Sequence, residues 1–86
     1  MEIKKVNISK LVQDIEPAKY SDGALEYNVK AFNSEGKCVF ERNAYNGYGD
    51  LKNLKTTLST TIKCASFANG AVTIKVNNID VKNYIQ

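Results

Sequence analysis

Four stretches of the chain carry apolar residues at regular intervals, and each predicts an element. The plainest begins at Asp50, where Leu51, Leu54, Leu58, Ile62 and Ala65 recur at helical offsets and lay one apolar stripe along a helix. Asp50 is a suitable N-cap, and Asn69-Gly70 supplies the left-handed exit that commonly ends a helix. Thr56, Thr57, Thr60 and Thr61 are poor helix formers because branched side chains lose rotamer freedom, so packing has to stabilise this helix.

Strand alternation marks two hairpins. Leu25, Tyr27, Val29 and Ala31 alternate with Glu26, Asn28, Lys30 and Phe32, and the chain runs back from Cys38 to Tyr45 after a turn at Asn33-Ser34-Glu35-Gly36. A four-residue connection pairs Ala31 with Cys38, Val29 with Phe40 and Tyr27 with Arg42. A three-residue loop would instead set Val29 opposite Glu41, so the four-residue register is preferred. In the second hairpin Val72, Ile74 and Val76 alternate with polar residues, and Asn77-Asn78 can take the positive φ angles of a tight turn. That turn pairs Val76 with Ile79, Lys75 with Asp80 and Ile74 with Val81; a short terminal helix through Val81, Tyr84 and Ile85 is the competing reading of residues 79–85.

The N-terminal pattern is mixed. Ile8, Leu11, Val12 and Ile15 have helical spacing up to Pro17, although Asp14 and Glu16 oppose the helix dipole, while Ile3, Val6 and Ile8 sit among strand-like neighbours. A short strand followed by a short helix is the reading adopted, with strand as the alternative over residues 9–16, and Tyr20-Ser21-Asp22-Gly23 is a loop. The expected fold is α+β: a small, mainly antiparallel sheet of two hairpins, the Asp50 helix across one face and a short N-terminal helix.

Size makes this one domain over residues 1–86, because a chain this short cannot divide its core. No apolar run is long enough to cross a bilayer, and Met1 to Leu11 is too charged for a secretion signal. A soluble, cytoplasmic protein without membrane contact is expected. Cys38 and Cys64 lack CxxC spacing and the chain has no histidine, so the expectation is free thiols, no metal site and no cofactor. The formal charge of +3 is mild, with lysines scattered from Lys4 to Lys82.

The most unusual stretch is Asn43 to Asp50, where Tyr45 and Tyr48 interleave with Asn46 and glycines. Tyrosine offers large contact area at small entropic cost, as in binding loops; the structural alternative is a strand-to-helix connection whose rings cover the core. It matches neither phosphate-loop spacing, and Asp50 would occupy the anion's position. Lys52, Lys55 and Lys63 share the helix side away from the stripe, able to meet phosphate or an acidic surface but equally an ordinary solvated face. Phe32, Val39 and Tyr45 share the outer side of the first hairpin with Asn28, Lys30, Glu41 and Asn43, unless the N-terminal segment covers them. Asp14 with Glu16, or Glu26 with Glu41, are carboxylate neighbours best explained as exposed charges, and Cys64 has no evident base.

These features favour a non-enzymatic binding module that contacts another protein through Tyr45, Asn46, Tyr48 and Phe32, with no small-molecule substrate. Stoichiometric inhibition of host machinery by a phage or mobile element, as with anti-CRISPR proteins, is a fitting context for so small a motif-free domain, although many such inhibitors are acidic. The alternative is a nucleic-acid-binding domain using the lysine helix and the aromatic sheet face. An exposed edge strand also leaves a homodimer open.

Overall fold

The computed structural model describes residues 5–47 and 50–86. It is a two-layer α+β domain with the order α1 (Ile8–Asp14), β1 (Ala18–Lys19), β2 (Leu25–Phe32), β3 (Cys38–Asn46), α2 (Leu51–Ser66), β4 (Thr73–Val76), β5 (Ile79–Asp80) and a closing 3-10 helix, Val81–Tyr84. All strand pairs are antiparallel, and β2 is the central strand. β3 runs along one edge of β2, while β1 and β4 share the other, and β5 pairs with β4.

α2 forms where its stripe predicts. Asp50 caps it, its carboxylate accepting from the N–H groups of Lys52 and Asn53. The expected left-handed exit does not end it: the helix stops at Ser66 with Phe67 as a right-handed C-cap, and Gly70, φ 79°, belongs to the following turn in which Ala71 N–H donates to Ala68 O. Leu54, Leu58, Ile62 and Ala65 are buried against the sheet, at roughly 1.5–3 kcal/mol for each large aliphatic side chain. Leu51, in the first turn, departs from the expected stripe and is exposed. Thr61 and Ser66 are buried instead, satisfied by donating to the carbonyls of Thr57 and Lys63.

The first hairpin takes neither of the two registers drawn from the sequence. Asn33 N–H donates to Lys37 O at 2.9 Å and Gly36 sits at φ 81°, so a three-residue loop, Ser34-Glu35-Gly36, closes the turn. Continued unbroken, that loop would exchange the inner and outer faces of β3. A bulge at Val39 prevents this: Phe32 pairs with Cys38, but Ala31 pairs with Phe40, Val29 with Arg42 and Tyr27 with Ala44. The inner set is therefore as expected, shifted by two residues along β2. Arg42, opposite Val29 rather than Tyr27, is exposed and places its guanidinium 5.3 Å from the centre of the Phe40 ring.

The second hairpin turns at Asn77 and Asn78 with φ 48° and 67°, and pairs Val76 with Ile79 and Lys75 with Asp80. The expected pairing of Ile74 with Val81 does not form. Asp80 accepts from Lys82 N–H and caps the 3-10 helix, which buries Val81 against the core; the competing terminal helix is thus the better description from residue 81 onward. Val72 precedes β4 and is exposed.

The N-terminal reading holds in outline. α1 is a helix capped by Asn7, and an isolated bridge pairs Val6 with Ile85 ahead of it. Ile3 lies outside the described residues. Leu11 and Ile15 join the core, and the fully buried Tyr27 donates its hydroxyl to Ile15 O at 2.5 Å, tying the end of α1 to the central strand. β1 is the element that the sequence did not reveal. Tyr20 to Gly23 does form a turn, with Gly23 N–H donating to Tyr20 O, but it connects β1 to β2.

Candidate functional site

One side of the sheet carries α2; the other bears Glu26, Asn28, Lys30 and Phe32 from β2, Glu41, Asn43 and Tyr45 from β3, and Thr73 and Lys75 from β4. Among the described residues no helix packs over that second side: α2 contacts β2, β3 and β4 from the inner face, and α1 packs on α2 and the 3-10 helix. The N-terminal segment from Lys5 onward therefore does not cover the outer residues. Val39 leaves the expected outer group, because as the bulge residue it packs half-buried against the core.

The open face is wired by short polar side chains. Tyr20 Oη and Asn43 Nδ2 donate to Glu26 Oε1 at 3.1 and 2.9 Å, and Asn28 Nδ2 donates to Asn43 Oδ1 and Glu41 Oε2 at 3.0 and 2.9 Å. Lys30 Nζ completes the run 3.8 Å from Glu41 Oε2. The Glu26 carboxylate, by accepting that hydrogen bond and by its charge, holds the Tyr20 hydroxyl above the ordinary phenol pKa. Glu26, Lys30 and Glu41 each have an opposite-charge or amide partner and Lys75 faces the Phe32 ring, so the run is preorganised, and two acids against two lysines leave the face close to neutral.

Aromatic rings stand at both ends of this run. Tyr20 and Tyr45, about half exposed, meet at 6.5 Å with a 57° tilt. At the other end Lys75 Nζ lies 5.3 Å from the centre of the half-buried Phe32 ring. Tyr45 pairs with Glu26, and six residues along β2 separate Glu26 from Phe32, so the two ends lie roughly 20 Å apart.

The residues singled out in the sequence are thus only partly brought together. Tyr45 and Phe32 share the open face at opposite ends. Asn46 is half-buried, pairs with Leu25 and accepts from the N–H of Asp50 at 3.1 Å, bracing the start of α2. Tyr48 lies outside the described residues. Lys52 and Lys63 are exposed and Lys55 half-buried on α2, across the domain from the aromatic face. A single nucleic-acid strand therefore cannot lie on lysine helix and aromatic sheet together without crossing an edge. Tyr20 was missed in the sequence because its partner Glu26 is reached only through the two-residue strand β1, too short to leave an alternating pattern.

Glu26 and Glu41 are joined through Asn43 and Asn28 on an open surface rather than converging in a cleft. Asp14 pairs with Lys10 at 3.5 Å. Cys38 is exposed and Cys64 half-buried, both as free thiols. Among the described residues no group of three His, Cys, Asp or Glu side chains could hold a metal ion, and no helix is long and apolar enough to cross a membrane. A concavity of about 540 Å³ lies between the start of α1 and α2, with Lys5, Asn7, Ser9, Ser59 and Lys63 at its rim.

Fold and surface together define an α+β domain with one covered and one bare sheet face. No protein-family model matches the sequence, and comparison with curated proteins and with solved structures gives no match either.

Proposed function

We propose that this protein is a non-enzymatic binding module that captures another protein on the open face of its sheet. The observation that carries the reading is the face itself: half-exposed Tyr20 and Tyr45 beside a row of side chains already held by one another. Binding loses little rotamer entropy on such a surface, and tyrosines are favoured anchors because a rigid ring buries area while its hydroxyl keeps a polar partner. The near-neutral balance of the face suits a protein partner better than a phosphate backbone, which would meet Glu26 and Glu41. Stoichiometric occlusion of a target's surface, as an inhibitor encoded by a phage or mobile element, is the mode of action such a module supports.

One observation favours nucleic acid or another acidic partner as the second reading. α2 contains Lys52, Lys55 and Lys63 and no acid, so its three positive charges equal the whole formal charge of +3, and the rest of the chain balances. That surface is the outer side of the helix alone.

Affinity capture from nuclease-treated lysate of the source organism separates the two readings. With Tyr45→Ala and Tyr20→Ala the captured protein is lost while the melting temperature stays within a few degrees of the parent, and Lys52→Ala with Lys63→Ala retains it. Capture that persists in the tyrosine variants but disappears with nuclease or in the lysine variant would move the site to the helix.

A further inference from the structure

We infer that two copies of this chain pair through the outer edges of β3, antiparallel and centred on Asn43. Among the described residues β3 pairs only with β2, so it is the one long strand with a free edge; the opposite edge ends in β5, two residues that run straight into the 3-10 helix. Natural edge strands are usually blunted by proline, charged side chains, bulges or brevity. β3 spans nine residues without proline or lysine, its bulge at Val39 lies beside the turn and leaves residues 41–45 regular, and its two charges, Glu41 and Arg42, are adjacent and opposite in sign.

The backbone polarity of that edge follows from bonds on the other side of the sheet. Asn28 receives Asn77 N–H at its carbonyl and donates its own N–H to Asn77 Oδ1, so both of its backbone groups point away from β3. Asn43, opposite Asn28, is therefore a non-hydrogen-bonded partner of β2, and its N–H and C=O point out to the free edge. By strand alternation Glu41 and Tyr45 do the same. Six backbone groups in three residues thus await an antiparallel strand.

Charge narrows the register of self-pairing, and a centre on Asn43 keeps the whole pairing within the regular residues 41–45. Centring the two-fold on Glu41 or on Arg42 would place two like charges directly opposite each other. Centring it on Asn43 sets Asn43 against Asn43 of the second copy and Glu41 against Tyr45 of the second copy, with all six groups paired. The inner layer leaves room. α1 packs along the flank of α2 that carries Ser59, Ile62 and Lys63, near the 3-10 helix and β4, so the flank turned towards the β3 edge carries Asn53, Thr57, Thr60 and Cys64. These side chains are uncharged and mostly short, which allows two α2 helices to lie side by side at about 8–10 Å. Two of the threonines that weaken α2 as a helix, Thr57 and Thr60, thereby gain a reason.

Pairing of this kind does not depend on the proposed capture of a protein by the open face, and either can fail alone. Sedimentation equilibrium should give twice the 9.6 kDa chain mass at high concentration. In a Cys38→Ser, Cys64→Ser background, Asn43→Cys should form a disulfide-linked dimer on mild oxidation, since hydrogen-bonded antiparallel partners place Cα atoms about 5.5 Å apart, inside the disulfide range. Asn43→Arg should raise the dimer dissociation constant about tenfold or more by opposing two cations at the two-fold axis, well beyond the effect of Asn43→Ala, which removes the same side-chain bonds to Glu26 and Asn28 without adding charge. Amide exchange at Glu41, Asn43 and Tyr45 should slow as concentration rises. A monomer at every concentration up to the millimolar range, or a dimer indifferent to Asn43→Arg and refractory to the Asn43→Cys cross-link, would overturn the inference.

Discussion

Replacing Tyr27 by Phe removes one oxygen and tests how α1 is held. Tyr27 is fully buried on the central strand, and its hydroxyl donates to Ile15 O at the end of α1. Loss of that donor leaves a carbonyl without its partner in an apolar setting, which costs about 1–3 kcal/mol at neutral pH. An 86-residue domain has an unfolding entropy of about 180 cal/mol/K, so the melting temperature should fall by about 5–15 °C. A second signature lies at high pH. Burial, helped by the charge of Glu16, pushes the Tyr27 pKa up to about 12 from 10.0. Between those values the unfolded chain has lost the phenolic proton and the folded chain has kept it, so the unfolded state binds fewer protons and stability falls as pH rises. The parent protein loses about 1.4 kcal/mol at pH 11 through this one group, a loss Tyr27→Phe cannot suffer. Titrations of lysines and of the other tyrosines are common to both proteins and cancel in the difference. Urea melts of both at pH 7 and pH 11 should therefore show a gap that narrows by about that amount. No gap at pH 7, or one of equal size at both pH values, would refute the assignment of this hydroxyl as a buried tether.

Other substitutions probe the remaining supports. Asp50→Ala deletes the cap that accepts from Lys52 and Asn53 and should cost about 0.5–2 kcal/mol in a denaturant melt. At the second hairpin, Asn78→Gly should stay within about 0.5 kcal/mol of the parent, because glycine accepts a positive φ freely. Asn77→Gly should cost more, about 1–3 kcal/mol, since the Asn77 side chain also accepts from Asn28 N–H and donates to Glu16 O. Equal effects at the two positions would mean that these side-chain bonds contribute nothing to stability.

What the amino-acid order determined by itself was everything local: the stripe and cap of α2, the inward set Tyr27, Val29 and Ala31, and the positive-φ turn at Asn77-Asn78. Each depends on a period or on one residue's backbone preference, which are properties of a short window. The tertiary structure decided the rest. Whether the first hairpin closed in three or four residues could not be chosen locally, because a bulge at Val39 restores the same buried face at a different register. Val81 left its expected strand pairing because burial against the core in a 3-10 turn satisfies it as well. The candidate surface was half legible: Tyr45 and Phe32 were visible as outward aromatics, but their separation, the arrival of Tyr20 and the placing of the lysine helix on the opposite layer follow from strand order and layer packing. Periodicity says which side chains turn inward; only the folded chain says which neighbours they find there and what remains uncovered on the other side.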